Sequence, residues 1–158
     1  MFQSQRRRQK QVVEYVDLLV SDAFEAPAVA YGDLARRVRN SARRTRPVQR
    51  LDGAVVCERC TIADSALPRM RGLLGKRSLG SDEGVLLRPA GSVHTFFMRF
   101  PIDIVFLDRD GRVLRIAESV RPWRTAAARG AKAVLELRAG ECARRRLLTG
   151  DVVEVGAA

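Results

Sequence analysis

The sequence predicts an α+β, mainly β fold: a small antiparallel barrel-like sheet with two short helices, preceded by a basic helical N-terminal arm. Three observations lead to this prediction. From Leu51 onward, short apolar segments typical of strands recur about every ten residues with turn residues between them. Two segments in the same region have the apolar spacing of short helices. Residues 1–50 carry eleven Lys or Arg against five Asp or Glu, a net charge of +6.

The first 50 residues have the pattern of a helical arm followed by a linker. Apolar residues at helical spacing, preceded by a run of basic residues, predict a helix over residues 7–20. Pro27 breaks the chain, and a second, arginine-rich helix is expected to begin near Asp33. Residues 40–50 lack periodicity and are interpreted as the linker. The predicted domains are therefore the arm, 1–50, and the sheet domain, 51–158.

The sheet domain is predicted to hold its strands and helices in a definite order. A helix is expected in SALPRMRGLLGKR, where Asp64 or Ser65 caps the start and Gly75 ends it. GECARRRLL is expected to form a second helical turn, and DRDG a tight hairpin turn. The predicted strands are LDGAVVCERCTIAD, EGVLLRPA, VHTFFMRF, IDIVFL, RVLRIAES, AKAVLELRA and VVEV.

Five sequence blocks occur in an order and spacing that resemble a known family. They are RMRGLLGKRSL, EGVLLRP, HTFFMRFPIDIVFLDRDGRVLRI, VLELRAG and LLTGDVVEV, within roughly residues 54–155. Together they resemble the domain of unknown function 192 (DUF192) family. The resemblance implies a small barrel-like β domain with short helices, and it implies no reaction. Many members have FWMKNT where this chain has FFMRF, so no role for an amide carries over to Phe100.

The segment around Arg99 is the candidate ligand-binding cleft. A guanidinium flanked by aromatic residues suits the carboxylate or phosphate of a ligand. It suits a structural ion pair with the nearby Asp103 equally well. Trp123, between Pro122 and Arg124, is a candidate cap over a ligand. The candidate ligand-binding residues are Arg71, His94, Phe97, Arg99, Asp103 and Trp123.

The three cysteines and the single histidine match a zinc set by number alone. Cys57 and Cys60 are three residues apart in a predicted strand, where residues at that spacing face opposite sides. This spacing argues against a zinc knuckle and also against a redox Cys-x-x-Cys site, which opens a helix. We therefore expect ordinary strand cysteines, with no metal and no cofactor.

The sequence favours a non-enzymatic binding or accessory domain with an anion-accepting cleft, whose partner is a small anionic ligand or a protein. One alternative is an enzyme that uses His94 and nearby carboxylates, which requires these groups to converge in a pocket. A second alternative is nucleic-acid binding through the arm, because arginines can contact phosphates. The candidate residues for that contact are Arg36, Arg37, Arg39, Arg43 and Arg44.

The net charge of +11 indicates attraction to polyanions, although an arginine-rich solvated surface explains it as well. No apolar stretch is long enough to cross a bilayer. The arginines near the N-terminus are not followed by the apolar run of a secretory signal. Three cysteines do not make the disulfide framework of a secreted protein. The expectation is a cytoplasmic protein without a transmembrane segment.

Overall fold

The computed structural model describes residues 45–64, 73 and 76–157. All of them belong to the second of the chain's two units, residues 40–158. These residues form nine strands and one short helix, α1 (Glu141–Arg144). The strands are β1 (Thr45–Arg50), β2 (Val55–Ala63), β3 (Glu83–Leu87), β4 (Ser92–His94), β5 (Ile102–Leu107), β6 (Val113–Val120), β7 (Thr125–Ala127), β8 (Ala133–Arg138) and β9 (Val153–Val155).

Seven of these strands form one sheet in the order β6-β5-β8-β3-β2-β1-β9. Neighbouring strands are antiparallel except for β2 and β3, which run parallel. The other two strands, β4 and β7, pair with each other as a separate antiparallel ribbon. No helix within the described ranges is long and apolar enough to pass through a lipid bilayer.

The two outer strands of the large sheet, β6 and β9, meet where each begins. An antiparallel bridge joins Arg112 to Val152, and the Val153 amide donates to the Gly111 carbonyl at 2.9 Å. Gly111 has a φ of 81°, and a Cβ at this position would overlap the Val153 carbonyl. Only a glycine at position 111 therefore allows the backbone to come this close to Val153. This contact joins the two outer strands of the sheet to each other.

Both faces of the sheet are apolar, and each has its own buried cluster. Leu135 and Leu137 of β8 belong to the first cluster, which also contains all three cysteines. Val134, the neighbour of Leu135 on the same strand, belongs to the second cluster on the opposite face. The ribbon covers this second face, because Val93 of β4 and Ala126 of β7 pack against it.

The fold class predicted from the sequence is wrong as stated. The sheet is mixed and not antiparallel, because the long connection between β2 and β3 allows a parallel pairing that a short turn does not. The described residues contain one short helix where two were predicted. The helical arm has no support, since both of its predicted helices lie outside the described ranges. The predicted helix SALPRMRGLLGKR lies mostly outside them too.

Two further interpretations need correction. Residues 45–50, interpreted as linker, form β1, in which Val48 is buried between β2 and β9. The misleading signal was the lack of periodicity, because β1 pairs with β2 through register irregularities that interrupt regular alternation. The predicted strand VHTFFMRF ends at His94, because Phe97 adopts a left-handed backbone angle that no strand can contain.

Candidate ligand-binding surface

Phe97 and Trp123 form an exposed aromatic pair. Their ring centroids lie 4.7 Å apart at an interplanar angle of 63°, an edge-to-face contact. Their exposed fractions are 56% and 55%, which is high for such large apolar side chains. Phe96 also contacts Trp123, and His94 stacks on Phe96 at 5.1 Å. We call these four residues the aromatic row.

The backbone is strained at both members of the pair. Phe97 has a φ of 62° and Trp123 a φ of 63°. Bulky side chains rarely adopt this left-handed region, which costs about 1–3 kcal/mol per residue. Such strain persists only where the surroundings enforce it, and it is concentrated at functional sites.

Thr95 enforces this geometry from beneath the aromatic row. It is 1% exposed, and its hydroxyl donates to the Arg121 carbonyl at 2.8 Å. The Arg124 amide donates to the same hydroxyl at 2.9 Å. The Trp123 amide donates to the Thr95 carbonyl at 3.0 Å. One buried side chain therefore holds the loop of Trp123 against the turn of Phe97. Thr95 was not among the predicted site residues, since an isolated Thr gives no pattern.

Three exposed arginines flank the aromatic row, at positions 99, 121 and 124. The Arg124 guanidinium donates to the Trp123 carbonyl at 3.0 Å. Within the described part of the chain, the guanidinium groups of Arg99 and Arg121 form no ion pair or hydrogen bond. The surface therefore combines exposed ring faces with unpaired positive charge.

The structure does not show the predicted ion pair between Arg99 and Asp103. Asp103 is fully buried, and its carboxylate accepts the amides of Ser119 at 2.8 Å and Cys142 at 3.0 Å. Its neighbours on β5, Ile102 and Ile104, face the cluster beneath the ribbon. Asp103 therefore faces the other side of the sheet, away from the aromatic row.

The groups required by the enzyme alternative do not converge. His94 is an exposed residue at the end of β4, and partial desolvation lowers its pKa. No carboxylate in the described ranges hydrogen-bonds to it. Asp108 instead accepts the amides of Asp110 and Arg112 in its own hairpin turn. Arg71, the remaining predicted cleft residue, lies outside the described residues, as do the five candidate arginines of the arm.

Glu136 on β8 is a buried carboxyl that was not predicted from the sequence. It is 4% exposed, and its Oε2 atom has no hydrogen-bond partner among the described residues. Its cross-strand neighbours are Ile104 and Val85, both apolar. Burial raises the pKa of Glu136 to about 7. Alternation in AVLELR suggests an outward-facing Glu, but both faces of this strand are covered.

A cavity of about 320 Å³ lies away from the aromatic row, beside the turn between β5 and β6. Its charged lining has both signs, and none of the predicted site residues contributes to it. The charged lining residues are Arg88, Arg109, Lys132, Asp108, Asp110 and Glu154.

The cysteines are arranged differently from the sequence expectation. Cys57, Cys60 and Cys142 are free, fully buried and members of one core cluster. Cys57 and Cys60 therefore face the same side of β2, and the prediction that they face opposite sides is wrong. Among the residues that the structure describes, no group of three or more His, Cys, Asp or Glu side chains is placed to hold a metal ion.

Comparison with known proteins identifies the family. A protein of unknown function from Novosphingobium aromaticivorans is 30% identical, over 70% of this chain and 83% of that chain, with a TM-score of 0.61. A proposed transcription regulator from Sinorhizobium meliloti is 24% identical, over 69% and 90%, with a TM-score of 0.62, and this likeness concerns the fold alone. No curated protein matches the chain. The family model of DUF192, described as Uncharacterized ACR, matches residues 47–155. The resemblance found in the sequence is thus confirmed, and the chain belongs to the DUF192 family.

Proposed function

We propose that this domain is a non-enzymatic binding or accessory module whose ligand is a small organic anion with a flat apolar part. The observation that carries the proposal is the exposed, strained pair of Phe97 and Trp123. Exposed apolar patches with a polar rim are typical of binding sites. Sites for small molecules are lined mainly by apolar and aromatic side chains, with a few polar groups that fix the orientation of the ligand.

The two parts of the surface suit two parts of one ligand. The ring faces of the aromatic row can pack against a flat apolar group. The planar guanidinium groups of Arg99 and Arg121 can each donate two parallel hydrogen bonds to a carboxylate or phosphate. Because Thr95 already holds the loop in place, little ordering is required when the ligand binds.

The intrinsic fluorescence of the protein tests the proposal directly, since Trp123 is the only tryptophan in the chain. The probe is phenyl phosphate, which joins an aromatic ring to a dianion, and inorganic phosphate is titrated in parallel. We expect a saturable change of emission that is stronger with phenyl phosphate. Arg99→Ala should weaken this binding about tenfold, the loss typical of one charged hydrogen-bonding group.

Arg109→Ala is the matched control for net charge, because Arg109 is also an exposed arginine, 86% exposed, on the hairpin after β5. Its binding curve should superimpose on that of the wild type. If the two arginine variants weaken binding equally, the effect is one of net charge and the proposed surface is wrong. If phenyl phosphate leaves the emission unchanged up to millimolar concentration, a small aromatic anion is not the ligand.

A second candidate function is nucleic-acid binding through the arm. It is supported by the charge of residues 1–50, where eleven Lys or Arg stand against five Asp or Glu. Basic segments of this kind bind phosphates without sequence preference. The division of the chain into a basic arm and a sheet domain, and a cytoplasmic location, also remain predictions.

A further inference from the structure

Strand β2 contains an extra residue opposite β1. Cys60 is paired with Arg46, and Cys57 with Val48, so three steps along β2 match two steps along β1. This count is that of a β-bulge, which inserts one residue into one strand of a pair. Residues three apart then face the same side, which a regular strand does not allow.

The hydrogen bonds of the bulge agree with this assignment. The amides of Glu58 and Arg59 both donate to the Asp82 carbonyl, at 3.1 and 2.9 Å. The side chains of Glu58 and Arg59 are both exposed, whereas the cysteines on either side of them are fully buried. The bulge therefore turns two adjacent residues outward and both thiols inward.

Both thiols lie on the same side of β2 in one buried cluster, where the Cys57 thiol donates to the Asp82 carbonyl at 3.5 Å and the Cys60 thiol to the Thr61 carbonyl at 4.0 Å. The interaction with Cys60 lowers the pKa of Cys57, and the interaction with Cys57 raises the pKa of Cys60. A Cβ added to Gly84 would come within 2.9 Å of the Cys57 sulfur, so this glycine on the next strand leaves room for the pair. The third cysteine, Cys142, belongs to the same core cluster, and burial raises the pKa of its thiol.

A positive charge lies close to the pair. The Arg145 guanidinium donates to the carbonyls of Val55 at 2.9 Å and Ser81 at 3.0 Å, and its side chain is 14% exposed. Its charge favours the thiolate form of Cys57 and so contributes to the lower pKa. Thiolates are the nucleophiles in disulfide exchange, so Cys57 is the thiol suited to attack first.

We propose that Cys57 and Cys60 form a thiol–disulfide exchange site, in which an external disulfide oxidises the pair to an intrachain disulfide. The Cys57 thiolate attacks one sulfur of the external disulfide, forms a mixed disulfide and releases one thiolate. The Cys60 thiol loses its proton, attacks the Cys57 sulfur and releases the second thiolate. The pair gives up two electrons and two protons, and the external disulfide becomes two thiols.

Access to the pair requires local opening, because both sulfurs are buried. The bulge interrupts the pairing of β2 with β1 beside the two cysteines, and this is the place where the two strands are held together least tightly. The exchange site is separate from the aromatic row, and it does not depend on the proposed ligand.

The wild-type full-length chain is sufficient for the test, with oxidised and reduced glutathione as the redox buffer. After equilibration, the protein is acid-quenched, alkylated under denaturing conditions and digested with trypsin. Trypsin cleaves after Arg59, between the two cysteines, so an intrachain disulfide links peptide 51–59 to peptide 60–69. We expect to find these two peptides linked to each other, and reduction should separate them. Cys142 should be found alkylated.

At the same glutathione ratio, the ratio of linked to unlinked peptide should be about tenfold higher for the folded protein than for the same chain in denaturant. The reason is that the bulge holds the two sulfurs on the same side of the strand. Cys142→Ser should behave like the wild type, and Cys57→Ser should give no linked peptide. The proposal is overturned if all three thiols of the folded protein remain alkylatable in the most oxidising buffer. A disulfide that includes Cys142 overturns the proposal as well. The same holds if the fraction of linked peptide from the folded protein is no higher than the fraction from the denatured chain.

Discussion

The ring of Trp123 meets the ring of Phe97 edge to face, and both residues hold left-handed backbone angles within one degree of each other, 62° and 63°. Because only glycine adopts this region without strain, a substitution can separate backbone strain from side-chain packing. Phe97→Gly and Phe97→Ala remove the same ring, but only glycine relieves the strain. We expect the glycine variant to be more stable by about 1 kcal/mol in chemical denaturation.

Phe96 is the matched control for that comparison, because it neighbours Phe97 and its φ is not positive. There the order should reverse, and Phe96→Gly should be less stable than Phe96→Ala by roughly 0.5–1 kcal/mol. If alanine is also the more stable residue at position 97, the backbone there is not strained.

The buried carboxyl of Glu136 should make stability depend on pH. Its pKa in the folded protein is about 7, above the ordinary value of 4.5, so the folded state binds the extra proton between these values. The free energy of unfolding is therefore highest below pH 4.5 and falls as the pH rises to about 7. Ionisation of Glu136 should lower the free energy of unfolding by about 3 kcal/mol over this pH range.

Urea denaturation between pH 4 and pH 8 measures this effect. Glu136→Gln cannot ionise and should remove most of the decline, whereas Glu118→Gln, at an exposed position on β6, should keep it. A decline of equal size in both variants would show that another group titrates.

Asp103 should be essential to stability and not to binding. Its two oxygens accept two backbone amides, from Ser119 and from Cys142 at the start of α1. Asn offers one acceptor oxygen, so one buried amide faces the NH2 group of the side chain. We expect Asp103→Asn to lower the free energy of unfolding by roughly 2–4 kcal/mol.

The control for Asp103→Asn is Asp110→Asn, because Asp110 is 80% exposed in the hairpin turn. The free energy of unfolding of this control should be near that of the wild type. Fluorescence titration of the Asp103→Asn variant, below its unfolding transition, should give the wild-type affinity for phenyl phosphate. A loss of affinity without a loss of stability would place Asp103 in the binding surface after all.

The structure defines where the arm can be removed in a nucleic-acid experiment. Deletion of residues 1–44 leaves β1 intact and should retain cooperative unfolding while abolishing salt-sensitive retention on a DNA column. Deletion of residues 1–50 also removes β1, including the fully buried Val48, and should destabilise the domain. Retention that survives the shorter deletion would exclude the arm as the nucleic-acid contact.

Local patterns could be predicted where neighbours in the sequence determine the outcome. The apolar run IDIVFL coincides with β5, and the turn after it is held by Asp108, as Asp-x-Asp-Gly indicates. The family blocks were also recognised correctly. Pairings between distant segments could not be predicted, since nothing in either strand encodes the parallel alignment of β2 and β3.

The candidate site was predictable in part, for the same reason. Phe97 and Trp123 were both singled out, and the structure brings them together. Asp103 was considered as an ion-pair partner of the nearby Arg99, whereas its carboxylate accepts two backbone amides on the other face of the sheet. The positive φ angles of Phe97 and Trp123 and the bulge beside Cys57 depend on tertiary contacts. Neither feature can be predicted from the alternation of residues along a single strand.

The bridge between Arg112 and Val152 has a consequence for biosynthesis. β9 lies next to β1 in space although about a hundred residues separate them in sequence, and pairings of such long range slow folding. A nascent chain that has not yet emerged past Val155 has unpaired backbone groups along β1 and at the start of β6. These exposed edges are where the growing polypeptide is most open to aggregation or chaperone capture.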